Sequence, residues 1–282
     1  MFRIIVYIRN RLYDYGLLKT TSLNTSVISV GNVSTGGTGK TPMVEYLATH
    51  FLNRGKLIAI ISKGYKRIHD DIRVAELGFK NERRELSIEN FGDESLVLLE
   101  NLSNIKTVSG KKKGLLVVSE DKTKGAEFAY KKFKPEIIII DDGFQHRKLR
   151  RDIDIVILNQ QNPRNLIPAG KLREPLSNIK RANMIVLNKK FASPGQDDFH
   201  KIEAEHPSTI VCEYKFESFF NSKNKKVNIN SEASITAFCG IGEPESFRNL
   251  LKNQNINIKG FIVFPDHHYY TIKDKGRIVD KF

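Results

Sequence analysis

Cysteine is scarce in this chain. Two cysteines in 282 residues, Cys212 and Cys239, are too few for a disulfide framework and suit a reducing cytoplasm. No stretch approaches the roughly 18 consecutive apolar residues of a membrane-spanning helix. No cysteine or further histidine cluster supports a zinc site, and no recognisable nucleic-acid module, internal repeat or low-complexity tract occurs. Acidic residues are in deficit: 32 Asp and Glu face 46 Lys and Arg, a net charge of +14. That excess calls for a polyanionic partner or surface, and charge alone does not choose between nucleic acid and anionic lipid. Part of it is idle, because Lys111–Lys113 reads as a solvated turn. Hydrophobic residues at 40% and charged residues at 28% describe a soluble globular protein, with length for one large α/β domain or two ordinary ones.

What is present is a series of short, nearly continuous apolar runs. "SVISVGN", "KLIAIIS", "GLLVVSE", "EIIIIDD", "IDIVILN" and "ANMIVLNK" read as buried strands alternating with helical stretches. Such β-branched runs imply a parallel sheet covered on both faces, a doubly wound domain over residues 1–192. From residue 193 the texture changes. Residues 193–232 read as a linker with a two-stranded ribbon, and 233–282 as a smaller α/β unit of strand, glycine turn, helix and strand. The opening stretch, about residues 1–22, forms a helix with Ile5, Ile8, Leu12 and Tyr15 near one face. Its apolar core of about five residues, with no cleavage site after it, makes a poor signal peptide. Two readings fit it: a helix lying in a membrane interface with Arg9, Arg11 and Lys19 near lipid phosphates, or a helix packed on its own domain.

"VISVGNVSTGGTGKTPMVEYL" (Val27–Leu47) carries a phosphate-binding loop with Ser34 in place of the first glycine of G-x-x-x-x-G-K-[ST]. Gly36, Gly37 and Gly39 let backbone N–H groups approach an anion, Lys40 supplies mobile charge, and Thr41 a hydroxyl for Mg²⁺. Ser34 is tolerable there if its φ stays negative. "EIIIIDDGFQH" ends a strand in Asp141 and Asp142, carboxylates for the Mg²⁺ that a P-loop enzyme needs; either can be the one that contacts the metal. "NFGDESLVL" places Asp93 and Glu94 before an apolar helix, where they also serve as caps. In "FPDHHYYT", Asp266, His267 and His268 follow a strand; the histidines taken alone read as solvent-exposed. In "VLNKKF", Phe191 stands where N-K-x-D would have its aspartate, so ATP is expected rather than GTP.

Taken together, "NRLYDYGLLK", "VGNVSTGGTGKTP", "SKGYKR", "GDES", "DDGFQHRKLRRD", "LIPAGKLREPL", "FCGIGEPESF" and "FPDHHYYT" resemble the tetraacyldisaccharide 4′-kinases, the lipid A 4′-kinases of Gram-negative bacteria. The pieces occur in the family's order across nearly the whole chain, and the family's own loop is of the G-G-x-G-K-T kind. The resemblance implies transfer of the ATP γ-phosphate to the 4′-hydroxyl of a tetraacylated glucosamine disaccharide 1-phosphate, the lipid A precursor. It implies a P-loop domain with a smaller C-terminal domain and a peripheral enzyme on the cytoplasmic face of the inner membrane. The anionic membrane surface then becomes a partner, docked through the N-terminal helix, with no nucleic acid and no obligate protein partner.

By motif, Ser34, Thr35, Gly36, Gly37, Thr38, Gly39, Lys40 and Thr41 bind ATP, while Asp141 and Asp142, with Thr41, serve Mg²⁺. Asp93 resembles the base that takes the sugar hydroxyl's proton, Glu94 assists the metal, and His267 or His268 supports Asp93. Lys40 completes the catalytic set, and Gln145, His146, Arg173 and Glu174 are expected to line the site.

Two departures stand out. Lys63 replaces the arginine of S-R-G-Y, keeping the charge but losing the bidentate fork. The chain also ends soon after FPDHHYYT, where the family continues through a helix and a T-E-K-D-like strand, so a truncated or unusually short second domain is expected. Competing readings are a metallochaperone-like or partitioning-type P-loop ATPase, a basic nucleic-acid-binding ATPase and a non-catalytic membrane-binding protein. The ATPases offer no reason for LREP or FPDHH, and the last would tolerate loss of Lys40.

Overall fold

A computed structural model describes residues 2–77, 86–103, 114–159, 165–189, 202, 205–206, 208–223, 225–229, 234–266 and 268–280. The Lys111–Lys113 turn, Phe191 and His267 lie outside the described residues. The chain divides into two compact units: residues 1–158, 162–187 and 199–210, then 159–161, 188–198 and 211–282.

The first unit opens with α1 (Phe2–Asp14). β1 (Ser26–Gly31), α2 (Lys40–Asn53) and β2 (Ile58–Ser62) follow. A short strand β3 (Arg73–Glu76), helices α3 (Ile88–Phe91) and α4 (Asp93–Ser103), and β4 (Gly114–Val118) come next. α5 (Lys122–Phe133), β5 (Ile137–Asp141), β6 (Ile153–Asn159), a 3₁₀ turn at Leu176–Arg181 and β7 (Met184–Lys189) complete the series before β8 (Thr209–Glu213).

The eight strands form one sheet in the order β3-β4-β2-β5-β1-β6-β7-β8. β4, β2, β5, β1 and β6 pair in parallel, as their unbroken burial requires. Only β3 is described as antiparallel, against β4; at four residues, with one of them buried, it left no apolar run to read. Alternation divides each strand between two layers. Ala59, Ile61, Val117, Ile138 and Ile140 pack with Ala126 and Ala129 of α5, whose small side chains let it lie close. α2 covers β1, β2 and β5, burying Val44, Ala48 and Leu52 at a spacing of one helical turn. Helices on both faces make this the doubly wound sheet expected of a P-loop NTPase.

The crossovers bring the C-terminal ends of β1, β2, β4 and β5 to one edge, with Val30 in register with Asp141 and Ser62 with Val118. The loops after β2 and before α4 approach closely there. A Cβ on Gly92, whose φ is 77°, would come within 2.6 Å of the Tyr65 carbonyl oxygen, so only glycine fits.

In the second unit, β9 (Phe219–Phe220) and β10 (Lys226–Val227) pair antiparallel as a minimal ribbon. β11 (Ser234–Cys239), α6 (Pro244–Asn253) and β12 (Asn257–Val263) form a parallel β-α-β unit. Its core gathers Ala237, Leu251 and Ile256 with Phe247 and Phe261. α7 (Ile272–Val279) follows, capped by a reciprocal Thr271–Asp274 box. His268 is not the exposed residue expected of a polar strand exit: it stacks on Phe264 at 4.8 Å, and its Nε2 lies 3.0 Å from Asp274 Oδ2.

Candidate active site

The loop between β1 and α2 is shaped by two left-handed glycines, Gly36 at φ 103° and Gly39 at φ 95°. Gly39 is the N-cap of α2, so no side chain caps that helix start, the arrangement in which an anion serves. The loop is pinned on its flank by the "AGKLREP" segment. Arg173 N–H donates to the Val33 carbonyl at 2.7 Å and Thr35 N–H to the Lys171 carbonyl at 2.8 Å, while Ser34 bridges antiparallel to Leu172. Ser34 thus sits in extended pairing, buried, with no positive φ to demand glycine. Inside the loop, Asn32 Nδ2 donates to Thr38 Oγ1 at 2.8 Å.

Asp142 is the electrostatic centre of the sheet edge. Its Oδ2 accepts from Arg173 Nη1 at 2.8 Å, and Lys40 Nζ stands 3.6 Å from its Oδ1. Lys122, buried in the first turn of α5, donates to its carbonyl oxygen at 2.6 Å. Burial alone would favour the neutral acid, but Lys40, Lys122 and Arg173 overcome it and hold the carboxyl at about 2. Asp141 differs: it is buried, and loss of solvent pushes its pKa up, with Lys122 opposing. A hydroxyl chain reaches it, Ser95 Oγ to Ser62 Oγ and Ser62 Oγ to Asp141 Oδ2, both at 3.3 Å. That chain ties the start of α4, with half-buried Asp93 and Glu94, to the end of β5. Asp93 Oδ1 accepts its neighbour's N–H, from Glu94, at 2.8 Å.

The remaining expected residues are spread more widely. Glu174 is wholly buried and accepts from Gln145, Asn178, Arg181 and Asn10, so it organises neighbours rather than facing open space. His146, in the loop between β5 and β6, reaches the start of α5, with Nε2 2.8 Å from Thr123 Oγ1. Burial, aided by Lys122, lowers its pKa to about 4. Lys63 pairs with Glu120 at 2.8 Å, both about half exposed. Lys122, Ser62 and Ser95 were not singled out from the sequence. Lys122 did leave a signal, since it follows the helix-capping Asp121 just after a buried parallel strand, where site residues of such sheets collect. Among the described residues, no group of three His, Cys, Asp or Glu side chains gathers to hold a metal.

Comparison with known proteins covers the whole chain. The family model described as tetraacyldisaccharide-1-P 4′-kinase matches residues 1–281. A tetraacyldisaccharide 4′-kinase of Aquifex aeolicus (strain VF5) is 39% identical over 275 residues, 96% of this chain and 81% of the relative. One from Chlorobium limicola is 34% identical over 281 residues, covering 96% of this chain and 76% of that protein. Among solved structures, LpxK from Aquifex aeolicus in complex with ATP superposes with a TM-score of 0.74 at 36% identity, over 96% of this chain and 81% of that one.

His146 and Asp142 act in separate pH windows. His146 titrates near 6.5 when unfolded and near 4 in the fold, so between those values the unfolded chain binds more protons and stability falls as pH falls. Asp142, with its pKa depressed, loses its contribution only as pH drops from about 3.8 through about 2. Replacing His146 by Asn should therefore flatten the stability profile between pH 6.5 and 4 by roughly 2–3 kcal/mol. Urea midpoints across that range read the change, and parallel profiles for variant and wild type would remove the desolvated histidine from the account.

Proposed function

The chain belongs to the tetraacyldisaccharide-1-P 4′-kinase family, and from that premise we propose how its residues divide the reaction. It is an ATP-dependent kinase that transfers the γ-phosphate to the 4′-hydroxyl of a tetraacyldisaccharide 1-phosphate in lipid A biosynthesis. The partitioning-type, metallochaperone-like and nucleic-acid-binding alternatives are not favoured by this match. The observation that carries the division of roles is the phosphate loop seated beside Asp142, with Lys40 3.6 Å from its carboxylate.

Residues Ser34–Thr41 are assigned to the ATP phosphates. Lys40, Lys122 and Arg173, grouped around Asp142, supply positive charge where the transferring phosphoryl group gains negative charge. Asp93, at the N-terminal turn of α4, accepts the 4′-hydroxyl proton as the sugar oxygen bonds to the γ-phosphorus and the bond to the β-phosphate oxygen breaks, releasing ADP. Thr41, Glu94, Asp141 and Asp142 offer only oxygen donors, the set a hard ion such as Mg²⁺ takes. Asp142 Oδ1 is buried and receives no hydrogen bond, which fits this use. When bound, the ion neutralises charge on the β- and γ-phosphate oxygens. His267 keeps only the role that the resemblance implies, since it lies outside the described residues.

The lipid substrate places the enzyme at a membrane, and we assign it to the cytoplasmic face of the bacterial inner membrane. Among the described residues no helix is long and apolar enough to cross a bilayer. α1 instead exposes Ile4, Ile5 and Ile8 at 62, 58 and 50%, with Tyr7, Tyr15 and Leu17 exposed around them. Arg3, Arg11 and Lys19 are exposed in the same stretch. Aliphatic side chains in the acyl boundary and cations at the phosphates are the signature of an interfacial helix.

Two measurements test these assignments. Lys40→Ala should keep its fold yet lose phosphoryl transfer from γ-³²P-ATP to the tetraacyldisaccharide 1-phosphate by roughly 10² or more. Wild-type turnover in the variant at saturating ATP would remove the loop from the chemistry. Charging the outer face of α1 with Ile5→Glu and Ile8→Glu should lower co-sedimentation with anionic vesicles severalfold, at unchanged activity on a detergent-dispersed substrate. Equal sedimentation of variant and wild type would move the membrane contact elsewhere.

A further inference from the structure

α1 has a second face. Opposite its exposed isoleucines it buries Val6 and one polar residue, Asn10, each 6% exposed. Asn10 Nδ2 donates to Glu174 Oε2 at 3.3 Å. The same carboxylate oxygen accepts from Asn178 Nδ2 at 2.8 Å and Arg181 Nη2 at 3.0 Å, and its Oε1 accepts from Gln145 Nε2 at 2.8 Å. Gln145 Nε2 also donates to the Asn32 carbonyl at 2.7 Å, and Asn32 Nδ2 donates to Thr38 Oγ1 at 2.8 Å. A continuous chain of hydrogen bonds therefore runs from the N-terminal helix into the phosphate loop. Arg147, two residues beyond Gln145, fixes the same turn of α1 through the Asn10 carbonyl at 2.9 Å and Asp14 Oδ1 at 2.8 Å.

A helix that needed only an anchor would be held more cheaply by an apolar residue at position 10. Buried polar groups cost stability unless they are hydrogen-bonded, and connected groups tie one another's positions. Hydrogen bonds link every member of this network, while Asn32 Oδ1 and Arg181 Nε and Nη1 are buried with no partner among the described residues. The positions tied here are those of Asn32 and Thr38, which shape the loop entered from β1. We propose that Asn10 is a positioning residue for the phosphate loop, acting through Glu174, Gln145 and Asn32 without touching nucleotide. The proposal rests on the assignment of residues 34–41 to ATP. Without the Asn10 amide, Glu174 loses a donor in a site closed to water. Glu174 and Gln145 then re-pair, and the loop must be re-ordered when ATP binds, so affinity falls.

The test uses the full chain and direct binding of Mg²⁺-ATP by calorimetry, with no lipid present, so that it is independent of turnover. Asn10→Ala should raise the ATP Kd roughly 5- to 20-fold while vesicle co-sedimentation stays unchanged. Thr38→Val, at the other end of the chain of bonds, should weaken binding too, and the double variant should be little worse than the poorer single one. Val6→Ala, on the same buried face but outside the network, should lower the Tm with the ATP Kd within about twofold of wild type. Should Asn10→Ala not fold, Asn10→Ser takes its place in the same comparison. An unchanged ATP Kd in the Asn10 variant, fully multiplicative losses in the double variant, or an equal weakening in Val6→Ala would overturn the proposal. Failure of the wild type itself to bind ATP would bring down the loop assignment, and this proposal with it.

Discussion

One aspartate held by three basic side chains organises the C-terminal edge of the sheet. Asp142 follows a buried strand; Lys40 from the phosphate loop and Arg173 from the LREP stretch face its carboxylate, while Lys122 in the first turn of α5 donates to its main-chain carbonyl. None of those cations would be stable so close to the others without a negative partner, because like charges in a partly buried site repel strongly. The partner is present in the fold before any phosphate arrives. Its depressed pKa is the thermodynamic counterpart of the same fact. On the proposed assignment, the protein thus keeps phosphate-binding charges assembled around its own anion.

The sheet makes that assembly possible. Parallel pairing sends the C-terminal ends of β1, β2, β4 and β5 to one edge, so Ser62, Asp141 and the start of the phosphate loop become neighbours although they are far apart in the chain. Rigid surroundings then hold the loops. Ser34 pairs with Leu172, Gly92 lies against the Tyr65 carbonyl, and Glu174 gathers four side chains around it. α1 joins this framework on one face and offers aliphatic side chains on the other, so one helix links an exposed apolar surface to the interior.

Much of this was legible in the residues. Six apolar, largely β-branched runs announced the parallel sheet because strands covered on both faces need no polar alternation. The phosphate loop and DDGFQH stood out in the sequence, and the structure brings them to one sheet edge, with Lys40 3.6 Å from Asp142. Less legible were features set by pairing between distant segments. β3 has no apolar run and exists because β4 offers it an edge. Glu174 looked like a site-lining acid of the LREP motif, and its burial depends on Asn10, Gln145 and Arg181, which no local pattern connects to it. Lys122 was not singled out from the sequence, because its bond to the Asp142 carbonyl, at an αL position, joins segments twenty residues apart. His268 read as an exposed polar residue because the aromatic ring it stacks on, Phe264, appears only as part of a strand exit.

The charge balance at Asp142 is the most direct place to test the account. Asp142→Asn keeps the shape of the side chain and removes the anion that Lys40 and Arg173 now face. ATP binding without magnesium and ³²P transfer to the lipid disaccharide with magnesium should be measured on the same preparation. The account predicts that the variant binds metal-free ATP at least as tightly as wild type, because a competing carboxylate is gone, while transfer falls by roughly 10² or more. A variant that transfers phosphate at the wild-type rate, or that loses metal-free ATP binding, would contradict it.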